Sequence, residues 1–140
     1  MAFSGNYVCT SFKSELFTGT HNFSSHTFKL ALYTNSATLN ASTTAYSTNN
    51  EASGTGYSAG GVTLSNVSVN TSGTTAFIDF DDVAISSSSI TARGALLYNS
   101  SASNKAVAVF DFGSNKTSSS STFTITMPVN DASNALVRIA

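Results

Sequence analysis

A Gly-x-Ser-x-Gly pattern at residues 56–60 is the first feature of this 140-residue sequence that could do chemistry. In serine hydrolases this pattern places the nucleophilic serine on a sharp strand-to-helix turn, and the catalytic histidine comes later in the chain. Here both histidines, His21 and His26, precede Ser58, and no helical pattern follows Gly60. The sequence therefore predicts a glycine-hinged loop, and we expect no catalytic residue in it.

The same loop contains a Gly-x-Gly-x-x-Ala pattern at residues 54–59, which matches part of a dinucleotide fingerprint. That fingerprint holds pyrophosphate only where it follows a strand and opens a helix, and neither condition is met here. His21 and His26 have neither the spacing nor the third ligand of a zinc site. We therefore predict no cofactor, and we assign no metal ligand.

Asp79, Asp81 and Asp82 form the acidic cluster of the sequence. On a strand Asp79 and Asp81 would share a face, so their carboxylates could approach a hard cation such as Ca²⁺, but the pair alone offers too few oxygens. The alternative is an exposed strand face whose charge opposes edge-to-edge aggregation. The sequence favours this alternative and leaves open whether Asp79 and Asp81 hold an ion.

The overall composition is rich in short polar side chains and poor in charge. Ser, Thr and Asn account for 58 of the 140 residues, whereas charged residues account for 9% and hydrophobic residues for 41%. Six basic residues are scattered along the chain and the net charge is −1, which excludes a phosphate-binding patch and predicts no nucleic-acid partner. The chain is too apolar for the usual signature of disorder.

Membrane association and secretion are also not indicated. No apolar run approaches the roughly 20 residues of a membrane span, and the N-terminus has no basic and apolar signal segment. These patterns predict no membrane partner and synthesis without a signal peptide. Cys9 is the one cysteine, so no internal disulfide forms, and we expect a small half-buried residue there.

Hydrophobic spacing predicts one short helix followed by strands. Thr10 and Ser11 offer a hydroxyl N-cap to a two-turn helix that ends at Gly19. Residues 62–69 change phase midway, which predicts a β-bulge near residues 65 and 66 that keeps their apolar side chains inward. The predicted strands are residues 27–34, 62–69, 75–85, 90–98, 105–112, 121–128 and 135–139.

Strands without intervening helices indicate an all-β fold, either an antiparallel β-sandwich or a jelly roll with one short N-terminal helix. Residues 1–140 would form a single domain, with residues 1–19 as a candidate docking arm plus the helix. Residues 105–112 are apolar on both faces, which suits a central strand covered twice or a strand that meets another subunit. The connection at residues 35–61 is long enough for us to expect a function or ordering by a partner.

Five segments distributed over most of the chain are similar to those of a known group of proteins. The sequence Ser-Phe-Lys-Ser-Glu-Leu at residues 11–16, the strand at 27–34 and the loop Ser-Gly-Thr-Gly-Tyr-Ser-Ala-Gly-Gly at 53–61 carry the resemblance, together with residues 90–99 and 106–113. With these segments the chain resembles small Ser/Thr-rich virion structural proteins of tailed bacteriophages. The resemblance implies a component present in many copies, without specifying capsid, neck or tail, and it implies no catalytic residue.

The resulting hypothesis is a capsid decoration (cement) protein on the outer surface of the virion, made in the host cytoplasm without a signal peptide. Its expected partners are the major capsid protein and copies of itself, in a homotrimer or a dimer. The alternative is a tail or fibre module that binds a host-surface receptor or glycan, with a carbohydrate platform formed by Tyr33, Tyr46 and Tyr57. The predicted partner-binding residues are Phe3, Tyr7, Phe12, Leu16, Phe17, Tyr46 and Tyr57.

Overall fold

The structure, a computed structural model, describes residues 3–140. Within them the chain forms antiparallel sheets and one short helix. In chain order the elements are β1 (Tyr7–Val8), α1 (Thr10–Phe17), β2 (Phe28–Tyr33), β3 (Val62–Thr63), β4 (Ser68–Ser72), β5 (Thr75–Asp79), β6 (Val83–Ser88), β7 (Thr91–Asn99), β8 (Lys105–Thr117), β9 (Ser121–Ile125) and β10 (Val137–Ile139). The predicted all-β fold with one short N-terminal helix is confirmed.

A five-stranded sheet forms the centre of the molecule, in the order β1-β8-β7-β2-β3. A three-stranded sheet, β10-β5-β4, and a two-stranded sheet, β6-β9, complete the fold. All strand pairs are antiparallel, and the register of the central sheet places Leu30 opposite Leu97 and Leu97 opposite Ala108. The alternation in the β2 sequence therefore directs one set of side chains to each face of this sheet.

The two faces of the five-stranded sheet have different coverings. Leu30 and Ala95 face β9 of the two-stranded sheet. On the opposite face, the hydroxyl of Tyr33 donates to the carbonyl of Ser47 in the long loop. Residues 106–109 of β8 are buried on both faces, which agrees with a central strand that is covered twice within one chain.

The helix α1 begins at Thr10, so the two residues predicted to cap it, Thr10 and Ser11, lie inside the helix. Cys9 is the N-cap and forms no side-chain capping bond, so the predicted hydroxyl cap is wrong. The backbone N–H of Cys9 instead donates to the carbonyl of Val107 at 2.9 Å, which joins the helix entry to β8. Gly19 follows the helix with φ +71°, as a glycine stop requires. No helix among residues 3–140 is long and apolar enough to cross a membrane.

Two predicted strands are each divided between sheets. The chain leaves the central sheet at Thr63 and enters the three-stranded sheet at Ser68, with Asn66 between them at φ +53°. Val69 is therefore 56% exposed, and the predicted bulge that would keep it inward is wrong. The segment predicted as one strand at residues 75–85 likewise breaks after Asp79, because β5 and β6 belong to different sheets.

Candidate functional site

The seven predicted partner-binding residues have very different exposures. Phe3 and Phe12 are 0% and 2% exposed and belong to the core, so they present no surface to a partner, which corrects the prediction at these two positions. Phe17, at the end of the helix, is 94% exposed. The other four are half-buried and pack against the core: Tyr7, Leu16, Tyr46 and Tyr57.

The N-terminal segment is part of the sheet from residue 3 onward. Tyr7 pairs with Val109, so β1 extends the central sheet next to β8. The ring of Phe3 lies 6.0 Å from the guanidinium of Arg93, which is itself ion-paired to a strand β8 carboxylate. The candidate docking arm at residues 1–19 is therefore packed where the structure describes it, and its first two residues lie outside the described part.

A single carboxylate fastens the long loop at residues 35–61. Glu51 accepts hydrogen bonds from the hydroxyls of Tyr46 and Tyr57, both at 2.7 Å, and from the backbone N–H of Gly60 at 2.8 Å. Charge-assisted hydrogen bonds of this kind are stronger than neutral ones. The loop thus has an internal polar centre, and its order in this structure requires no partner.

Further aromatic contacts attach the loop to the central sheet. The hydroxyl of Tyr98 donates to the carbonyl of Gly60 at 2.6 Å. The rings of Tyr46 and Tyr98 stack with their centroids 4.7 Å apart. The hydroxyl of Tyr57 also accepts the backbone N–H of Leu32 on β2 at 2.9 Å. Loop and sheet therefore share one tyrosine network.

The hydroxyls of Tyr33, Tyr46 and Tyr57 remain protonated and act as hydrogen-bond donors. Burial, and then the hydrogen bond to Glu51, raises the pKa of Tyr57 well above its ordinary value, and the same two causes act on the pKa of Tyr46. Burial also raises the pKa of Tyr33. Each of these hydroxyls donates to an acceptor inside the chain, so the arrangement favours loop packing over a carbohydrate platform.

The glycine-rich end of the loop passes very close to β2. A Cβ at Gly61 would lie 2.1 Å from the carbonyl oxygen of Leu30, and its φ of +85° also requires glycine. The N–H of Gly61 donates to the carbonyl of Ser58 at 3.0 Å, so the Gly-x-Ser-x-Gly pattern forms a turn that leads into a strand. This geometry lacks the helix of a nucleophile elbow.

The two histidines meet at one buried amide that sequence reasoning missed. The side-chain nitrogen of Asn99 lies 3.0 Å from Nδ1 of His21 and 2.9 Å from Nδ1 of His26. On its other side, Nε2 of His21 lies 2.8 Å from a carboxylate oxygen of Glu15. The cluster joins α1 to β7. Across residues 3–140, no group of three or more His, Cys, Asp or Glu side chains is arranged to hold a metal ion.

An open groove of about 660 Å³ lies between the end of β8, strand β9 and the C-terminal segment. Several of its apolar lining side chains are half-buried and therefore partly accessible to solvent, whereas Leu30, Ala95 and Phe123 are buried. Threonines of β9 and the charged Lys116 contribute polar atoms to the lining. The main apolar side chains are Phe110, Phe112, Phe123, Ile125, Met127 and Leu136.

Both strands beside the groove have unpaired edges in the described part of the chain. Strand β9 pairs with β6 alone, and β8 pairs with β1 only through Ala108 and Val109. Beyond Val109, the N–H of Asp111 donates to the side chain of Asn6 at 2.7 Å in place of a strand partner. Apolar side chains and free strand edges together suit an extended protein segment, since an added strand uses both.

Comparisons of the chain with family models, with curated proteins and with solved structures find no match.

Proposed function

We propose that this chain is a structural protein of a tailed-phage virion, and that it decorates the capsid as a cement protein. It binds the outer surface of the major capsid protein and stabilises contacts between neighbouring capsid subunits. The observation that carries the proposal is the open apolar groove beside the unpaired edges of β8 and β9. This is a surface for a protein partner.

The groove is suited to weak contacts repeated over a lattice. Apolar side chains such as Phe112 and Met127 are half-buried in the isolated chain, so a partner that covers them gains hydrophobic stabilisation. Repetition of one modest interface at many copies gives large total strength. The resemblance to small virion proteins and the Ser/Thr-rich surface support the same proposal.

The glycan-binding alternative has less support from the geometry. Its proposed platform used Tyr33, Tyr46 and Tyr57, and the hydroxyls of all three donate to acceptors within the chain. Tyr33 is also 1% exposed, so its ring cannot stack on a sugar.

Copy number in the parent virion is the direct test. We expect quantitative mass spectrometry of purified particles to find the protein at a copy number comparable with that of the major capsid protein. Removal of the protein should lower the temperature at which the heads release their DNA. A handful of copies confined to tails would overturn the cement proposal, and absence from particles would overturn the virion proposal.

A substitution in the groove tests the proposed contact surface. Phe112→Glu places a charge on the half-buried groove wall, and we expect it to abolish binding to capsids stripped of the protein. Val69→Glu is the matched control, because Val69 is 56% exposed on β4 and does not line the groove. Equal binding by both variants would assign the contact to another surface.

A further inference from the structure

A second cleft, of about 350 Å³, lies at the junction of the two smaller sheets. Three connections meet there: the segment before β4, the link between β5 and β6, and the segment that follows β9. All three carry side chains with oxygen atoms into the lining. The cleft is separate from the groove except for two shared residues, Met127 and Pro128.

Asp79 is the buried carboxylate of this lining. The residue is 3% exposed, in contrast to the exposed strand face that the sequence favoured. Its Oδ1 accepts the N–H of Phe80 at 2.9 Å, whereas its Oδ2 is buried and accepts no hydrogen bond from any residue of 3–140. A buried carboxylate oxygen without a partner is costly, and native proteins rarely leave one without a ligand, a proton or water.

Neighbouring residues of the lining carry further oxygen atoms. The amide nitrogen of Asn130 donates to the hydroxyl of Ser68 at 2.8 Å, and that of Asn66 donates to Oδ2 of Asp81. With both nitrogens engaged in this way, both amide oxygens remain as acceptors. Asp82 accepts the N–H of Met127 at 2.6 Å through Oδ1, which leaves its Oδ2.

The electrostatics of the cleft favour a cation. Its lining includes three aspartates and contains no lysine, arginine or histidine. The three carboxylates are not grouped as a ready chelate, so the donor set combines carboxylate and amide oxygens. Such a mixed oxygen set in irregular geometry suits Ca²⁺, which takes six to eight oxygen ligands, better than Mg²⁺, which demands near-octahedral geometry.

We propose that this cleft binds Ca²⁺ through oxygens on its three connections, with water completing the coordination shell. The ion would neutralise the buried carboxylate and join the connections at the point where the sheets separate. The proposed ligands are Asp79 through Oδ2, Asp81 or Asp82, and the amide oxygens of Asn66 and Asn130.

Calorimetric titration of the EDTA-treated full chain with CaCl₂ tests the site. We expect one ion per chain with a dissociation constant of about 10⁻⁴ to 10⁻³ M, the range of low-affinity calcium modules. At about 10 mM Ca²⁺ the Tm should rise by about 5 to 10 °C, and less with Mg²⁺. Absence of both binding heat and a Tm shift overturns the proposal.

Two variants in the cleft separate ion binding from a structural role. Asp79→Asn removes the buried charge, so we expect the calcium-free protein to have a Tm no lower than that of the natural chain and the calcium affinity to fall at least tenfold. Asp81 is exposed, so Asp81→Asn does not change a buried group, and it should also weaken calcium binding. Asp111→Asn makes the same charge change in an ion pair on the central sheet and should bind calcium normally. Unchanged affinity in both cleft variants overturns the proposal.

Discussion

The two faces of the central sheet differ in how completely their polar groups and edges are paired. On the closed face, which the loop at residues 35–61 covers, Glu51 accepts three hydrogen bonds from the loop that it fastens. On the open face, formed by the smaller sheets with the groove and the cleft, Asp79 has an oxygen with no partner in the described chain. Polar groups on the closed face are paired within the chain, whereas the open face leaves groups available to other molecules.

This contrast changes how the aromatic residues of the sequence are interpreted. Tyrosines in a long Ser- and Asn-rich loop are typical of recognition surfaces. Here the hydroxyls of Tyr46 and Tyr57 donate to an internal carboxylate. The aromatic side chains accessible to solvent lie elsewhere, at Phe17 on the helix end and, half-buried, at Phe110 and Phe112 on β8. We therefore expect substitutions in the loop on the closed face to change stability and substitutions of the half-buried groove residues on the open face to change binding.

Gly61→Ala should have the largest effect on stability. The added methyl group would meet the backbone oxygen of Leu30, which cannot move without breaking β2, and we expect a loss of about 4 kcal/mol or more in the free energy of unfolding. Gly73→Ala is the control, because the φ of Gly73 is also positive at +60° but a Cβ added there would have no heavy atom within 4 Å beyond its two chain neighbours. It should cost about 1 kcal/mol. Equal losses in urea denaturation would contradict the close-approach argument.

Glu51→Ala should have a smaller effect than Gly61→Ala. It removes the shared acceptor of Tyr46, Tyr57 and Gly60. A hydrogen bond to a charged group contributes about 1.5 to 3 kcal/mol, but the contributions of three bonds to one carboxylate do not add in full. We expect a net loss of about 3 kcal/mol and faster hydrogen exchange in residues 35–61. Glu51→Gln keeps the shape and should lose less. Unchanged exchange in the loop would show that other contacts order it.

The strands were predictable because their periodicity is a local property of the sequence. The alternation at residues 28–33 matches β2, and the two-sided apolar pattern at residues 105–112 matches the doubly covered β8. The breaks near Asn66 and Asp81 were not predictable in this way. Apolar residues continue on either side of each break, and only the sheet to which each half belongs decides that the strand ends there.

The sites were less predictable than the strands, because they depend on contacts between distant segments. Asn99 lies within hydrogen-bond distance of two histidines more than 70 residues away in sequence. The lining of the cleft likewise combines Asn66 and Asn130 with the three aspartates at residues 79–82. The acidic cluster itself was visible in the sequence. Its buried member was not, because alternation assigns Asp79 to a face without showing whether another sheet covers that face.

Phe112→Ala should have a small effect on stability. The side chain is half-buried at the groove, so truncation removes few core contacts, and we expect a loss of about 1 kcal/mol. Phe123→Ala, 6.5 Å away between ring centroids but only 5% exposed, should lose about 3 to 5 kcal/mol. Thermal unfolding of both variants provides the measurement. A large loss at Phe112 would place the groove wall within the folding core.

The smallest effect concerns the pH dependence that Asp79 contributes in calcium-free buffer. Burial, and then the charge of Asp82, raises the pKa of Asp79. A carboxyl with a raised pKa in the folded state binds protons more readily there than in the unfolded state, so its contribution is complete at low pH and is lost as pH rises from about 4. Asp79→Asn should therefore gain stability relative to the natural chain as pH rises.

Two other carboxyls act in the opposite direction and must be cancelled in this measurement. The N–H of Gly113 and the guanidinium of Arg93 lower the pKa of Asp111, and the pKa of Asp131 is lowered by its hydrogen bonds to Asn134 and Ser133. Their contributions are lost as pH falls, but they are common to both proteins. The difference between natural chain and variant at each pH isolates Asp79. A difference in stability that stays constant from pH 4 to about 7 would contradict the raised pKa of Asp79. At saturating calcium the natural chain should instead be the more stable of the two proteins, because a bound cation stabilises the ionised carboxylate.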